Sequence, residues 1–148
     1  MQHWVRVKLA RIYLGVLLAL MALGQLASFG DFADIVEEYD VAGSPGTALA
    51  ILLIALELAA AGGLLAPVSP PLRRLATQLG LATALLWSLL ALQGLARGLE
   101  LESCGCFGRY LGQPLTLWVV PQDALFVALA VVVARGAARR AAMPRGTS

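Results

Sequence analysis

Four long apolar runs limit what this chain can fold into more than any other feature of its sequence. They cover residues 9–29, 47–66, 75–96 and 116–135, and each has close to the ~20 residues that a helix needs to cross ~30 Å of hydrocarbon. Helix is the expected structure because lipid offers no partner to an unpaired backbone amide. Only 14% of the residues are charged, against about a quarter in soluble domains. The sequence therefore predicts an all-α integral membrane protein, a four-transmembrane-helix bundle that forms a single domain over residues 1–148.

The first run has a second interpretation as a cleaved signal peptide, since Arg6, Lys8 and Arg11 precede or open it and "ALG" stands at 22–24. Its apolar part of about 21 residues is longer than the 7 to 15 of a typical signal core. We therefore expect it to remain as the first membrane span.

The basic residues predict the orientation of the bundle. Nine of the eleven Lys and Arg residues flank the spans on one side, whereas the loop at 30–46 contains five carboxylates and no basic residue. The positive-inside rule then places both termini in the cytoplasm and the loops at 30–46 and 97–115 outside the cell membrane. Because the basic residues are explained as flanks of spans, they indicate no nucleic-acid partner.

The first outer loop carries its own periodic pattern. Apolar residues recur at Phe32, Ile35, Val36 and Tyr39, and acidic residues occupy the other side. This spacing predicts a short amphipathic helix over residues 31–40 that lies on the outer membrane surface, with Asp31 as its N-cap. A solvated acidic loop without helix is the alternative.

Both cysteines of the chain, Cys104 and Cys106, lie in the second outer loop, with one glycine between them. A zinc site would need four ligands, and the only histidine, His3, lies at the opposite end of the spans, so no metal site is predicted. A purely structural disulfide across one residue would close a very short loop and remove little chain entropy. Thiol–disulfide exchange is the third chemistry, since a strained disulfide is easily reduced.

Exchange needs a flexible turn and a stabilised thiolate. Gly105 and Gly108 supply the backbone freedom to bring the two sulfurs together. Arg109 and Arg97 are the cations expected to lower a thiolate pKa, whereas the acidic first loop would raise it. The sequence leaves open which effect is larger, and which cysteine meets a partner first.

Four polar residues within the spans are expected to belong to the same site. Counted at 1.5 Å per residue, Gln25, Gln93 and Asp123 fall in the outer third of their helices, and Glu57 falls near the bilayer midplane. Ionisable groups inside a membrane usually face a bundle interior or cavity. Glu57 and Asp123 are therefore predicted to handle protons.

The competing interpretation of these carboxyl groups is structural. Asp123, beside Pro121, would cap or kink the fourth helix, and Glu57 would be a neutral interhelical hydrogen-bonding group. Trp87 and Trp118 are interpreted as packing or lipid-facing aromatics.

The number of thiols limits the mechanism. A transmembrane thiol relay would need cysteines on the cytoplasmic side, and the sequence has none there. Electrons would therefore pass between an outer-face partner and the cysteine pair. A quinone dissolved in the bilayer is the cofactor that would act as electron sink or source.

Several motifs resemble those of the MauE family, the methylamine-utilisation membrane proteins related to DoxX. These are the "F..IV..Y" pattern at 32–39, the glutamate in "LELAAAGG", and "ARG" upstream of "CGCFG". The resemblance covers most of the chain. It implies a four-helix membrane bundle that works with a thioredoxin-like extracytoplasmic protein in making or correcting disulfides of secreted enzymes, with Cys104 and Cys106 as redox pair and Glu57 as membrane carboxylate.

The sequence thus predicts a membrane thiol:disulfide oxidoreductase in the inner membrane. A non-catalytic assembly or docking subunit is the main alternative, and a small-solute or metal transporter is a weaker one. The predicted catalytic residues are Cys104, Cys106, Glu57 and Asp123. The residues expected to support them are Gly105, Phe107, Gly108, Arg109, Arg97, Gln25 and Gln93.

Overall fold

The computed structural model describes residues 2–41 and 43–142. Most of these residues lie in five helices: α1 (Gln2–Ala27), α2 (Phe29–Glu38), α3 (Gly46–Leu65), α4 (Pro70–Ala96) and α5 (Val119–Ala142). Residues 97–118, between α4 and α5, form the thiol loop, which contains one short extended segment, β1 (Cys106–Arg109). Helices α1, α3, α4 and α5 are long and apolar enough to cross a membrane. The prediction of an all-α, multi-pass membrane protein is confirmed.

The long helices extend beyond the apolar runs that predict them. Helix α1 begins at Gln2 and α4 begins at Pro70, so the basic flanks of both runs are helical. Proline suits the first turn of a helix, where its missing N–H would have no intrahelical partner. Hydropathy marks only the apolar part of a helix, because charged residues can continue the backbone hydrogen bonds beyond the hydrocarbon.

The four long helices close a ring in which α1 packs on α3 and α5, and α4 packs on the same two helices. Small residues allow close contact within it: a Cβ added at Gly15 of α1 would lie 2.8 Å from Leu65 Cγ of α3. Close backbone approach of this kind is how helices associate in lipid. Leu14, Leu18 and Leu53 are completely buried at the centre of the bundle.

Large apolar side chains also cover the outside of the bundle. Leu9, Leu89 and Leu125 are more than half exposed, and many similar residues lie between them. An exposed apolar surface of this extent suits contact with lipid rather than with water. It places the bundle in a bilayer.

Helix α2 confirms the predicted amphipathic helix but begins earlier than expected. It starts at Phe29, and a single residue separates it from the end of α1. Its buried side consists of Phe32, Ala33 and Val36. The prediction of Asp31 as N-cap is wrong, since Ser28 holds that position and Asp31 lies in the first turn. Helix α2 packs on α3 and on β1, so it covers the thiol-loop end of the bundle.

Candidate functional site

Two glycines with positive φ shape the turn that carries the cysteines. Gly105 has φ +84° and Gly108 has φ +61°, values at which a side chain would be strained. The Gly108 N–H donates to the Gly105 carbonyl at 3.0 Å and closes the turn. The predicted need for glycine at both positions therefore matches the backbone.

The turn brings the two thiols together. Cys104 Sγ and Cys106 Sγ are 3.3 Å apart, within hydrogen-bond distance but well beyond the ~2.05 Å of a disulfide bond. The pair is therefore in the dithiol form. Cys104 is 5% exposed, whereas Cys106 is half-buried and lines a cavity.

The hydrogen bond between the sulfurs makes the two thiols unequal. When Cys104 ionises, the Cys106 thiol donates to its sulfur, and this lowers the pKa of Cys104 to about 7, although burial opposes the shift. The same hydrogen bond, together with burial, raises the pKa of Cys106 well above its usual value. Cys104 is thus the residue that carries thiolate near neutral pH.

The two arginines expected to stabilise the thiolate have other partners. Arg109 pairs with Asp31 of α2 at 3.3 Å. Arg97 lies 3.6 Å from Asp40 and donates to the Tyr39 carbonyl at 2.8 Å. The arginines therefore attach the loop to the α2 region, and the hydrogen bond with the neighbouring thiol is the largest cause of the lowered pKa of Cys104.

Removing the Cys106 thiol should raise the pKa of Cys104. In Cys106→Ala the thiolate loses its hydrogen-bond donor, so its titration midpoint should move from about 7 towards the usual value of about 8.5 to 9. The ultraviolet absorbance of the thiolate, followed against pH, measures this midpoint directly. Cys104→Ala is the matched control, and its remaining thiol should titrate above the usual range of a cysteine, because burial raises the pKa of Cys106. Equal midpoints near 7 in both variants would show that the hydrogen bond between the two sulfurs does not cause the lowered pKa of Cys104.

Side chains from α1 and from the end of α2 hold the backbone of the cysteine turn. Gln25 Nε2 donates to the Cys106 carbonyl at 3.0 Å, and the Tyr39 hydroxyl donates to the Cys104 carbonyl at 3.1 Å. Gln25 is completely buried, and Tyr39 is nearly so. Both cysteines are therefore fixed through their main chain, and these hydrogen bonds do not involve the sulfur atoms.

Gln25 also joins the turn to the membrane carboxyl group. Its Nε2 lies 3.2 Å from Glu57 Oε1, which accepts a second hydrogen bond from Trp87 Nε1 at 2.7 Å. Glu57 is 0% exposed. Within the part of the chain that the structure describes, its second oxygen, Oε2, has no hydrogen-bond partner. Three helices thus meet at one buried carboxyl group that is a single side chain away from the cysteine turn.

Gln93 lies at the same end of the bundle but does not contact the thiols. Its Nε2 donates to the Tyr39 carbonyl at 2.9 Å, the same oxygen that Arg97 binds. Gln93 and Arg97 therefore hold Tyr39, which in turn holds Cys104.

Asp123 is the fifth residue of α5 and is nearly buried. An N-cap residue immediately precedes the first residue of a helix, so the fifth position does not suit a capping role. Asp123 lines the same cavity as Cys106 and Phe107, and its carboxylate contributes to the raised pKa of Cys106. The structure therefore places Asp123 in one cavity with Cys106 and joins Glu57, near the middle of α3, to the cysteine turn through Gln25.

Helix α2 covers the turn. A Cβ added at Gly105 would lie 3.1 Å from Ile35 Cγ2 and 3.5 Å from Phe32 Cε2. Glycine is thus required here both for its φ and for the close approach of α2.

Three residues of the site were not predicted as part of it. The sequence pattern predicts only apolar or packing roles for Tyr39 and Trp87, yet Tyr39 donates to the Cys104 carbonyl and Trp87 donates to Glu57. Ser28 was not singled out, and its hydroxyl accepts from the Arg109 N–H at 3.1 Å. For Tyr39 and Trp87 the residue type is the one sequence signal of such a role, since buried Tyr and Trp side chains usually find a hydrogen-bond partner.

The comparison with known families agrees with this architecture. The family model described as Methylamine utilisation protein MauE matches residues 4–136. The chain belongs to the MauE family. No curated protein and no solved structure matches it. The MauE match includes the four long helices through most of their length and the whole thiol loop, so the family covers every residue of the site.

The donor set of this MauE-family chain offers little to a metal ion. Among the described residues, no three His, Cys, Asp or Glu side chains cluster as ligands would.

Proposed function

We propose that this protein is a membrane thiol:disulfide oxidoreductase that exchanges a Cys104–Cys106 disulfide with a thioredoxin-like extracytoplasmic protein. One observation carries the proposal: two thiols 3.3 Å apart, of unequal pKa, held through their backbone on a glycine turn. The family description links such proteins to methylamine utilisation. The final substrate would then be a secreted enzyme of that process whose disulfides the partner makes or corrects.

The exchange oxidises the partner in two steps. A partner thiolate attacks Cys104 Sγ, breaks the Cys104–Cys106 bond and releases Cys106, which takes up a proton. The second partner thiolate then attacks the mixed disulfide, forms the partner's own disulfide and releases Cys104 as thiolate. Two electrons move from the partner to the cysteine pair. The lowered pKa of Cys104 favours the second step, because a thiol of lower pKa leaves faster.

Access to Cys104 requires a movement of α2. Cys104 is 5% exposed, and Phe32 and Ile35 lie over the adjacent glycine. In this proposal the partner displaces α2 when it docks. The exposed ion pairs Arg109–Asp31 and Arg97–Asp40 are weak enough to open, since such pairs contribute little to stability.

The proposed orientation follows from the charges of the sequence. Nine of eleven basic residues flank the spans on the side opposite the thiol loop. The protein would then lie in the inner membrane with both termini in the cytoplasm. The thiol loop would face the oxidising compartment outside it.

Glu57 and Asp123 are proposed to handle the two protons of the reaction. Glu57 is connected to the cysteine turn through Gln25, and Asp123 shares a cavity with Cys106. Disulfide formation releases two protons, so two carboxyl groups connected to the cysteine turn suit the chemistry.

Trapping of a mixed disulfide tests the function. Cys106→Ser keeps the attackable sulfur and lacks the resolving one, so it should accumulate a mixed disulfide with a thioredoxin-like protein, seen on non-reducing gels and identified by mass spectrometry. Cys104→Ser should trap at least tenfold less, because Cys106 faces the cavity. The double variant Cys104→Ser/Cys106→Ser is the control. If no single-cysteine variant traps a thioredoxin-like protein, the proposed exchange is wrong.

A non-catalytic docking or assembly subunit is the second function, and the burial of Cys104 under α2 favours it. In that case the cysteine turn would only shape a binding surface. Full complementation of a deletion strain by the double cysteine variant would support docking and exclude the redox role.

A further inference from the structure

A lateral cavity lies beside the cysteine turn, between α1 and α5. It has a volume of about 290 Å³, and its walls include Leu17, Met21 and Phe126. Two other lining residues, Tyr13 and Leu125, are 63% and 71% exposed on the lipid-facing surface. The cavity therefore opens sideways towards the bilayer.

The polar groups of this cavity are concentrated at the thiol-loop end. Cys106, Gln122 and Asp123 line it there, and Trp87, the hydrogen-bond donor to Glu57, lines it as well. A second lateral cavity, between α4 and α5, also reaches Asp123 but has no cysteine in its wall. The cavity between α1 and α5 thus combines a thiol, a carboxyl group and an opening to lipid.

We propose that this cavity binds the ring of a lipid-soluble quinone, which accepts the electrons of the Cys104–Cys106 dithiol. Its volume is close to the lower limit of ~300 Å³ for small-molecule sites, enough for one ring whose isoprenoid tail stays in lipid. The apolar walls suit the ring faces, and Gln122 and Asp123 suit its oxygens. This inference rests on the proposed function, for which it names the electron acceptor.

The reaction balances without any other reactant. Two S–H bonds are lost, one S–S bond forms between Sγ atoms that are already 3.3 Å apart, and two electrons reduce the quinone. Both protons end on the two quinone oxygens and give the quinol. Asp123 transfers one of them, since its carboxyl group faces the cavity that Cys106 lines. The disulfide then oxidises the partner, which sets the direction of electron flow from partner to quinone.

Quinone reduction by the purified protein tests the inference. The dithiol protein in lipid nanodiscs, freed of reductant under anaerobic conditions, is mixed with decylubiquinone, and quinone absorbance and free thiols are followed together. We expect one quinone reduced for every two thiols lost, and a rate about a hundredfold lower in Asp123→Asn, the lower end of the ~10²–10⁴-fold range for general acid–base catalysis. Failure of the quinone to oxidise the thiols would overturn the inference.

Filling the cavity provides a matched comparison. Leu17→Trp places a large ring inside the cavity and should slow quinone reduction at least tenfold. Leu20→Trp, one turn along α1 at a position 53% exposed and outside the cavity lining, should stay within twofold of wild type. Leu129→Phe, on the opposite wall, also reduces the volume of the cavity and replaces Leu17→Trp in the comparison if Leu17→Trp does not fold. Equal rates in the filled and control variants would also overturn the inference.

A second assay separates this inference from the function on which it rests. Protein oxidised beforehand with diamide is mixed with a reduced thioredoxin-like protein, and a single turnover of exchange is measured. Leu17→Trp should exchange at the wild-type rate, which also shows that it is folded. Normal exchange without quinone reduction would remove the quinone site and leave the proposed function. Quinone reduction without exchange would remove the proposed function and leave the quinone site.

Discussion

Replacing Glu57 with leucine should lower the free energy of unfolding by about 2–4 kcal/mol and loosen the thiol loop. The change leaves two buried donors, Trp87 Nε1 and Gln25 Nε2, without the oxygen that they share. A stranded buried donor costs about 1–3 kcal/mol, and somewhat less where membrane helices offer alternative partners. Because Gln25 also binds the Cys106 carbonyl, its reorientation should release the cysteine turn. Unfolding in mixed micelles measures the first effect, and the rate of thiol alkylation measures the second.

Glutamine at the same position separates the two roles assigned to this carboxyl group. Glu57→Gln keeps an oxygen that can accept from Trp87, so stability should stay within about 1 kcal/mol of wild type. The amide does not ionise near neutral pH and cannot act as an acid or a base, so turnover of the thiol reaction should fall about a hundredfold, the lower end of the ~10²–10⁴-fold range for such groups. Full turnover in the glutamine variant would leave Glu57 a structural role only. Wild-type stability in the leucine variant would show that the hydrogen bonds do not hold the turn.

Replacing Gly108 with alanine should cost about 2–5 kcal/mol and detach the cysteine turn from α1. Its φ of +61° costs alanine about 1–2 kcal/mol. The added Cβ would also overlap Ser28 Oγ and lie 2.7 Å from the Gly24 carbonyl oxygen, and overpacking of this kind costs about 1–3 kcal/mol more. The loop must then lift away from α1, so the Cys104 titration midpoint should rise as the sulfurs separate.

Gly98→Ala is the control for this substitution. Gly98 has φ +69° and nothing within 4 Å of its added Cβ, so it shares the backbone strain and lacks the overlap. It should cost only about 1–2 kcal/mol and leave the thiol titration unchanged. The difference in unfolding free energy between the two variants measures the close contact of the loop with α1. Equal losses in both variants would mean that this contact contributes nothing.

The pH titration, the trapping experiment and these substitutions address different levels of the same site. The titration concerns two sulfur atoms, the trapping concerns their partner, and Glu57 and Gly108 concern the scaffold that holds them. Agreement among them would link the hydrogen bonds of the bundle to the chemistry of the thiols.

Local sequence patterns were enough to predict the membrane spans, the amphipathic helix and the loop that carries the thiol pair. These features depend on local properties: hydropathy summed over one helix, a 3.6-residue period over ten residues, and a glycine between two cysteines. The boundaries were less well predicted, since charged residues extend α1 and α4 beyond the apolar runs. Family membership followed from the same local motifs and is confirmed by the match over residues 4–136.

Which polar groups meet depends on the tertiary structure. Counting residues places Gln25 and Asp123 near the thiol-loop ends of their helices, but the rotation of each helix fixes their partners, so Gln25 joins Glu57 to the cysteine turn and Asp123 lines a cavity with Cys106. The arginines expected at the thiolate bind α2 and the residues after it instead, since the path of the loop directs them outwards. A hydrogen bond between elements distant in sequence depends on rotation and loop path together, and neither is recorded in the pattern of a single segment.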